Sequence, residues 1–340
     1  MARRYRKSQK AWQRYVLAIV SLVLVFGVAV LGVRIMEQRM NVKVENAGEQ
    51  LTAHTAAQNT AQVFMNNRWY ARRNVTTLLI MGVDDSGNLK ESDSYNNSHQ
   101  TDFLVLYLRD LDTGRAAAIH LNRDTMTDIT MLGVTGQPVG SRYAQLALAY
   151  NYGNGDHNSS ENVISAVEHL LYGMEVDNYI TVTMDAVPII NDWAGGVTVE
   201  VLEDMTGSDE KLVKGQMVRL EGKQALSYVR TRMGLDDSTN INRMKRQRQY
   251  ASAWAESARN KLGDAQAVTE LLMQLDGYYR SDCTADQLAE LAKVFGDNIN
   301  VPMYEIQGQA VQGKEYMEFY VDEEKLQQLI LELFYSPVNI

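Results

Sequence analysis

The residues best suited to chemistry lie in one basic segment of an otherwise acidic chain. Between Arg219 and Arg248 the sequence holds eight basic residues against three acidic ones, although the whole chain has a formal net charge of -9. On a helix, Arg243, Arg246 and Gln247 share one face, because their spacing is i, i+3 and i+4. Guanidinium groups bind phosphate oxygens bidentately and keep their charge. The segment predicts either a phosphate-binding surface or a solvated helix face.

Two aspartates stand beside apolar runs that predict strands. Asp84 follows the run 77–83, and Asp102 directly precedes the run 103–108. Carboxylates at adjacent strand ends can converge on one Mg²⁺, which binds one or two carboxylates together with phosphate oxygens and water. Turn formation and strand capping are the alternative roles, since Asp serves them frequently.

A third candidate is the pair Arg123-Asp124, which comes shortly after the apolar run 116–121. In α/β folds, ligand-binding groups are found where strands leave the sheet. The same two residues could instead form a structural ion pair. The local sequence therefore leaves a binding role and a structural role open.

The elements that must position these residues alternate along the chain. Short unbroken apolar runs are typical of strands buried on both faces, and the turn 112–114 predicts a hairpin between the runs 103–108 and 116–121. The alternation predicts a layered α-β-α domain, in which a central mixed sheet is flanked by helices. Helices are predicted at about 141–151, 160–172, 185–193, 222–230, 240–262, 265–276, 284–295 and 322–335, and further strands at 179–183 and 197–201.

Composition excludes several classes of protein. The single cysteine, Cys283, excludes an intrachain disulfide framework and a CxxC zinc site. The five histidines lack metal-ligand spacing. No GxSxG segment occurs, so the sequence indicates no nucleophile elbow. The negative net charge argues against a general polyanion-binding protein.

The N-terminus predicts a membrane anchor. Residues 1–14 carry six basic side chains and no acidic one, and residues 15–33 carry no charge. A helix over 15–33 spans about 28 Å, close to the hydrocarbon thickness of a bilayer. A cleaved signal peptide is the alternative, but the run lacks the small-residue cleavage pattern. The positive-inside rule then predicts a cytoplasmic tail 1–14, a transmembrane helix 15–33, a stalk 34–75 and an extracytoplasmic domain 76–340.

A series of short motifs runs in order between about residues 78 and 250. They are the segments 79–84, 101–102, 123–125, 148–153, 195–197, 220–232 and 242–247. On a chain with a short basic tail and a single predicted anchor, this ordered series resembles the LytR-CpsA-Psr family of bacterial envelope proteins. The chain departs from the family pattern at Asn122, where the family has Pro, and at 240–242, where the family's Gly-Asp is replaced by Asn-Ile-Asn.

The resemblance implies an activity. Family members move a glycopolymer, such as wall teichoic acid or capsular polysaccharide, from a polyprenyl diphosphate lipid onto peptidoglycan. The implied enzyme is a Mg²⁺-dependent phosphotransferase, with Mn²⁺ as the alternative ion and pyrophosphatase as a side activity. Two alternatives remain: a membrane-bound regulator that attenuates transcription, and a non-catalytic module that binds glycan or lipid. The tail 1–14 is too short for a helix-turn-helix, so no nucleic-acid partner is expected.

The resemblance also implies roles for single residues. Asp84 and Asp102 would hold the metal ion, and Asp124 would orient Arg123 or assist the acceptor hydroxyl. The implied catalytic residues are Arg123, Asp124, Arg232 and Arg243. The implied diphosphate-binding residues are Arg123, Arg230, Arg232, Arg243, Arg246 and Gln247.

Overall fold

The part of the chain that can be described begins at residue 62. The computed structural model describes residues 62–92, 94–95, 97–231, 240–297 and 301–338. The predicted tail 1–14, the predicted transmembrane helix 15–33, the stalk up to residue 61 and Arg232 lie outside these residues. Within these ranges, no helix is both long and apolar enough to cross a membrane.

The strands are short and follow one another closely in the first half of the chain. In chain order they are β1 (Gln62–Met65), β2 (Arg68–Arg72), β3 (Val75–Val83), β4 (Thr101–Asp110), β5 (Ala116–His120), β6 (Met126–Leu132), β7 (Pro138–Gln145), β8 (Asn178–Val182), β9 (Val197–Glu200), β10 (Met217–Leu220), β11 (Tyr279–Ser281), β12 (Met303–Glu305), β13 (Gly308–Gln312), β14 (Met317–Val321) and β15 (Tyr335–Pro337).

The helices dominate the second half. In chain order they are α1 (His157–Leu170), α2 (Ala186–Trp193), α3 (Lys223–Arg230), α4 (Asn240–Leu262), α5 (Ala265–Gln274), α6 (Ala285–Asp297) and α7 (Glu323–Phe334). A 3₁₀ helix covers Leu146–Tyr152.

A six-stranded mixed sheet forms the centre of the domain. Its strand order is β11-β8-β3-β4-β5-β12. β3 pairs with β8 in parallel and β5 pairs with β12 in parallel, whereas the other neighbours are antiparallel. The predicted mixed sheet is confirmed, and so is the hairpin that joins β4 to β5. The apolar runs at β3 and β4 form strands buried in the middle of this sheet because both of their faces are covered.

Helices cover both faces of the sheet. The side chains of β8 show this, because they alternate between helices on one face and helices on the other. Thr181 hydrogen-bonds Ser160 of α1 at 2.8 Å between the two hydroxyl oxygens. The neighbouring residues Ile180 and Val182 instead pack against the apolar cluster formed by α2, α4, α5 and α6. Successive side chains of a strand point to opposite faces. The predicted α-β-α layering is therefore confirmed.

A second, smaller core lies under the β9–β10 hairpin. Val197 and Val199 of β9 and Leu220 of β10 pack against Ala225 and Tyr228 of α3. Burial of each large apolar side chain stabilises the fold by roughly 1.5–3 kcal/mol. These contacts therefore hold α3 in place. This core supports α3 and the first half of α4, which carry the candidate arginines.

Two stretches differ from the sequence-based expectation. β2 pairs with β15, with Tyr335 opposite Arg72, so the ordered fold begins before residue 76 and includes part of the predicted stalk. The helix predicted at 141–151 is wrong in its first half, where β7 pairs with β6 and Tyr143 lies opposite Asp128. Cross-strand pairing outweighs the local apolar spacing there, because strand stability depends on the neighbouring strand.

Candidate active site

The adjoining ends of β3 and β4 bring the two predicted metal-binding aspartates to one edge of the sheet. A bulge interrupts the pairing between Gly82 and Val83, and such bulges re-aim the following side chain. The backbone N–H of Asp84 donates to the carbonyl of Gln100 at 3.0 Å. The backbone N–H of Gln100 donates in return to Asp84 Oδ1 at 2.6 Å. These two hydrogen bonds fix Asp84 close to the start of β4, which carries Asp102.

The carboxylate of Asp102 joins two arginines that are distant in sequence. Its Oδ1 accepts from Arg123 Nη1. Its Oδ2 accepts from Arg243 Nη1 at 3.0 Å. Arg123 also donates to Gln100 Oε1 and lies 3.3 Å, measured from Nε, from Asp124 Oδ1. Three of the predicted site residues therefore meet at one carboxylate.

Two asparagines complete this cluster. Asn240 Oδ1 accepts from Arg243 Nε at 3.0 Å and from Arg243 Nη2 at 2.6 Å. Asn240 Nδ2 donates to Asn122 Oδ1 at 2.6 Å, and the same oxygen accepts from the Asp124 backbone N–H at 3.0 Å. In the sequence, Asn122 and Asn240 stand out only as departures from a family pattern. No local periodicity could have linked them, because their contact joins residues from distant parts of the chain.

An open cleft of about 420 Å³, a volume that includes bulk solvent at its mouth, lies beside these groups. Its lining combines polar and apolar side chains. The polar lining includes Asp84, Asp102, Arg230, Arg243 and Gln247. The apolar lining includes Phe103, Val182, Val187, Leu226 and Val229.

Two buried polar atoms at the wall of this cleft lack a hydrogen-bond partner within the described residues. They are Gln247 Oε1 and Thr183 Oγ1, on residues that are 6% and 1% exposed. The amide nitrogen of Gln247 donates to the Val229 carbonyl at 3.3 Å. Most buried polar atoms in proteins are paired, so unpaired ones call for an explanation, and a ligand is one such explanation. Thr183 was not among the predicted residues.

Arg246 has a different environment from the one predicted for it. It is 1% exposed and does not line the cleft. Its guanidinium forms an ion pair with Glu203 at 3.2 Å and donates to the carbonyls of Tyr228 and Thr231. Burial lowers the pKa of the Arg246 guanidinium, and the Glu203 carboxylate opposes that shift. The prediction that Arg246 binds diphosphate is corrected here: its guanidinium is used to hold α3 to α4.

A buried histidine lies behind the cleft. His120 is 1% exposed, and its ring centroid lies 5.4 Å from that of Phe103. Burial, together with the charges of Arg248 and Arg243, lowers the pKa of His120 to about 3. Arg248 in turn forms an ion pair with Glu305 of β12. His120 is therefore neutral near pH 7 and adds no positive charge to the arginine cluster.

The fit of a divalent metal ion rests on the two carboxylates that line the cleft. Within the described ranges, no cluster of three or more His, Cys, Asp or Glu side chains is arranged to hold a metal ion. Mg²⁺ nevertheless binds commonly through one or two carboxylates, with phosphate oxygens and water completing its shell. Asp84 and Asp102 supply such a pair, although each oxygen of Asp102 also faces an arginine. The donor set fits an ion that arrives together with phosphate.

Solved structures share this fold. Protein gbs0355 from Streptococcus agalactiae is 19% identical with a TM-score of 0.62, over 76% of this chain and 86% of that chain. TagV from B. subtilis is 19% identical with a TM-score of 0.58, over 76% and 95% of the two chains. TagT, solved bound to LIIa-WTA, is 20% identical with a TM-score of 0.55, over 76% and 89%. No curated relative matches the chain.

The family assignment rests on the sequence as a whole. The family model described as LytR_cpsA_psr matches residues 38–334, which include every motif that carries the resemblance. The ordered motifs, the mixed sheet and the arginine cluster agree with that match. The chain belongs to the LytR-CpsA-Psr family.

Proposed function

We propose that this protein transfers a lipid-linked glycopolymer to peptidoglycan in the bacterial envelope. The observation that carries the proposal is the cluster of Asp102, Arg123 and Arg243 beside an apolar cleft wall. A polyprenyl diphosphate has an anionic head and an apolar tail, and the cleft offers guanidinium groups next to aliphatic side chains. Family membership and the TagT complex, in which WTA denotes wall teichoic acid, support a polymer of that class; capsular polysaccharide is the alternative.

The proposed reaction is a phosphoryl-group transfer. A muramic acid hydroxyl of peptidoglycan attacks the phosphorus that bears the polymer, and a phosphodiester forms. The diphosphate P–O bond breaks, polyprenyl phosphate leaves with its electron pair, and the proton of the attacking hydroxyl is released to solvent. Arg243 and Arg123 would neutralise the charge that grows on the leaving phosphate, which is the main catalytic demand in such reactions. Asp124, 3.3 Å from Arg123 Nε, would keep that guanidinium oriented.

A divalent ion is part of the proposal. Asp84 and Asp102 would hold Mg²⁺, or Mn²⁺ in its place, and the ion would supply charge neutralisation at the diphosphate. Arg230, which is exposed and lines the cleft, would contact the outer phosphate oxygens. Gln247 would use its unpaired Oε1 to accept a hydrogen bond from a donor group of the substrate. Arg232 remains a predicted ligand that lies outside the described residues.

The proposed location follows from the substrates. A lipid-linked donor and a peptidoglycan acceptor meet on the outer side of the cell membrane. Residues 15–33 would cross that membrane once, with residues 1–14 in the cytoplasm and the folded domain outside. Resistance of the full chain to alkaline extraction, together with its digestion by protease added to intact protoplasts, would test this arrangement.

The test of function is product formation by the purified full-length chain. In detergent, with a lipid-linked donor, Mg²⁺ and peptidoglycan, we expect polymer joined to peptidoglycan and free polyprenyl phosphate. Arg123→Ala should reduce the rate by about 100-fold or more, since it removes a charge from the reacting diphosphate. Arg259→Ala is the matched control, because Arg259 is half exposed and lies near the opposite end of α4.

Three outcomes would contradict the proposal. Donor binding without any product would indicate a glycan- or lipid-binding module. Specific DNA binding by residues 1–14 would indicate the regulator. An unchanged rate in a folded Arg123→Ala variant would show that the chemistry takes place elsewhere.

A further inference from the structure

We infer that Asn240 is a positioning residue for Arg243, and that Asn122 acts through Asn240. The inference rests on the proposed function and adds to it two residues that fix the orientation of the Arg243 guanidinium for diphosphate binding. Asn240 begins α4, and its single amide oxygen accepts from two nitrogens of Arg243, at 3.0 and 2.6 Å. The side chain of Arg243 is 3% exposed. With Asp102 Oδ2 on Nη1 and Asn240 on Nε and Nη2, the guanidinium is held in one orientation.

The amide of Asn240 is held in turn by Asn122. Asn122 Oδ1 accepts from Asn240 Nδ2 at 2.6 Å and from the Asp124 backbone N–H at 3.0 Å. Both asparagines are buried, with exposures of 7% for Asn122 and 5% for Asn240. The segment that carries Arg123 is thereby fastened to the helix that carries Arg243. A fixed separation between two cations suits the fixed spacing of the two phosphates in a diphosphate.

Asn240 adds an acceptor to the cluster without adding a charge. Two arginines, Arg123 and Arg243, already face two carboxylates, those of Asp102 and Asp124. The amide of Asn240 therefore orients the Arg243 guanidinium through hydrogen bonds alone.

Binding of inorganic pyrophosphate tests this inference. We would measure its dissociation constant by calorimetry on the full-length chain in detergent with Mg²⁺, and the unfolding temperature of each variant. Asn240→Ala should weaken binding about tenfold, the scale expected for a lost hydrogen bond to a charged group. Asn240→Asp keeps an acceptor oxygen for Arg243, so it should unfold at the parent's temperature and bind within about threefold of the parent.

A double-mutant cycle separates the two asparagines. Asn122→Ala should weaken binding in the parent chain, but it should cause no further loss in Asn240→Ala, because its effect passes through Asn240. Asn242→Ala is the matched control: it lies on the same turn, and its amide contacts Glu203 and Lys245. That variant should bind as the parent does.

Each result that contradicts the inference identifies a different part of it as wrong. Parent-like affinity in a folded Asn240→Ala would overturn the positioning role, and so would a loss in Asn240→Asp as large as that in Asn240→Ala. Additive losses in the double variant would show that Asn122 does not act through Asn240. If the parent binds no pyrophosphate while both variants fold, the proposed function fails and this inference fails with it.

Discussion

Arg243 and Arg246 are three residues apart on α4 and nearly equally buried, with exposures of 3% and 1%. Arg243 contacts Asp102 and lines the cleft. Arg246 turns to the small core under β9 and β10, where Glu203 and two backbone carbonyls surround its guanidinium. The two side chains share a residue type, a helix and a degree of burial. They differ in whether their charge is directed to a cleft or to the interior.

The difference shows how buried arginines can be sorted. A buried charge requires partners, because the loss of hydration costs several kcal/mol per ion. Arg246 finds its partners in structural groups, so its removal should affect stability. Arg243 has two acceptors, Asp102 and Asn240, and both belong to a cluster that lines or adjoins the cleft. Replacement of Arg243 should therefore lower the rate of polymer transfer.

The first expected effect is on the rate of polymer transfer and comes from the substitution Arg243→Lys. Lysine keeps the charge but loses the planar fork that can contact Asp102, Asn240 and a phosphate together. We expect a fall of about 100-fold in the rate of polymer transfer, with a change of less than about 1 kcal/mol in the free energy of unfolding. Full transfer activity in this variant would remove the distinction between the two arginines.

The second expected effect is on the free energy of unfolding and comes from the substitution Arg246→Met. The substitution leaves the Glu203 carboxylate without its cation, so the free energy of unfolding should fall by about 3–5 kcal/mol in urea titrations. The double variant Arg246→Met/Glu203→Leu should recover much of that loss, because no unpaired charge remains. The account would be wrong if Arg246→Met were as stable as the parent but inactive.

The smallest effect concerns His120, which faces the third arginine of the same helix, Arg248. The folded pKa of about 3 lies below the usual value of 6.5, so the unfolded state takes up a proton first as the pH falls. The stability present above pH 6.5 should therefore decline towards pH 3, by about 2.5 kcal/mol between pH 7 and 4.5 from this group.

His120→Phe isolates that contribution, because it preserves the ring beside Phe103 and removes the titrating nitrogen. The difference in unfolding free energy between the variant and the parent should change with pH over that window. A difference that stays constant from pH 7 to 4.5 would show that folding does not lower the pKa of His120.

The sequence predicts the fold best where burial follows a simple period. The unbroken runs at β3 and β4 agree with the structure because their apolar residues report burial on both faces. The long helix over 240–262 is also predicted, although most of the buried residues in its first half are polar. The stretch 141–151 is predicted poorly, because β7 exists only through its pairing with β6. Contacts across the hairpin leave little trace in local spacing.

The candidate site shows the same limit. Asp84, Asp102, Arg243 and Gln247 do line one cleft, and Arg123 contacts Asp102 beside it. Spacing on α4 could not separate Arg243 from Arg246, because the i and i+3 positions share a helix face while the long side chains diverge. Which partner each guanidinium finds depends on Glu203 and Asn240, and tertiary structure alone brings those groups together.

The most direct measurement is a crystal structure of the full chain with a polyprenyl diphosphate bound. The account predicts the diphosphate within hydrogen-bond distance of Arg243 and Arg123, with the lipid along the wall formed by Val182, Val187 and Leu226. A diphosphate bound at another surface, without contact to Arg243 or Arg123, would contradict it.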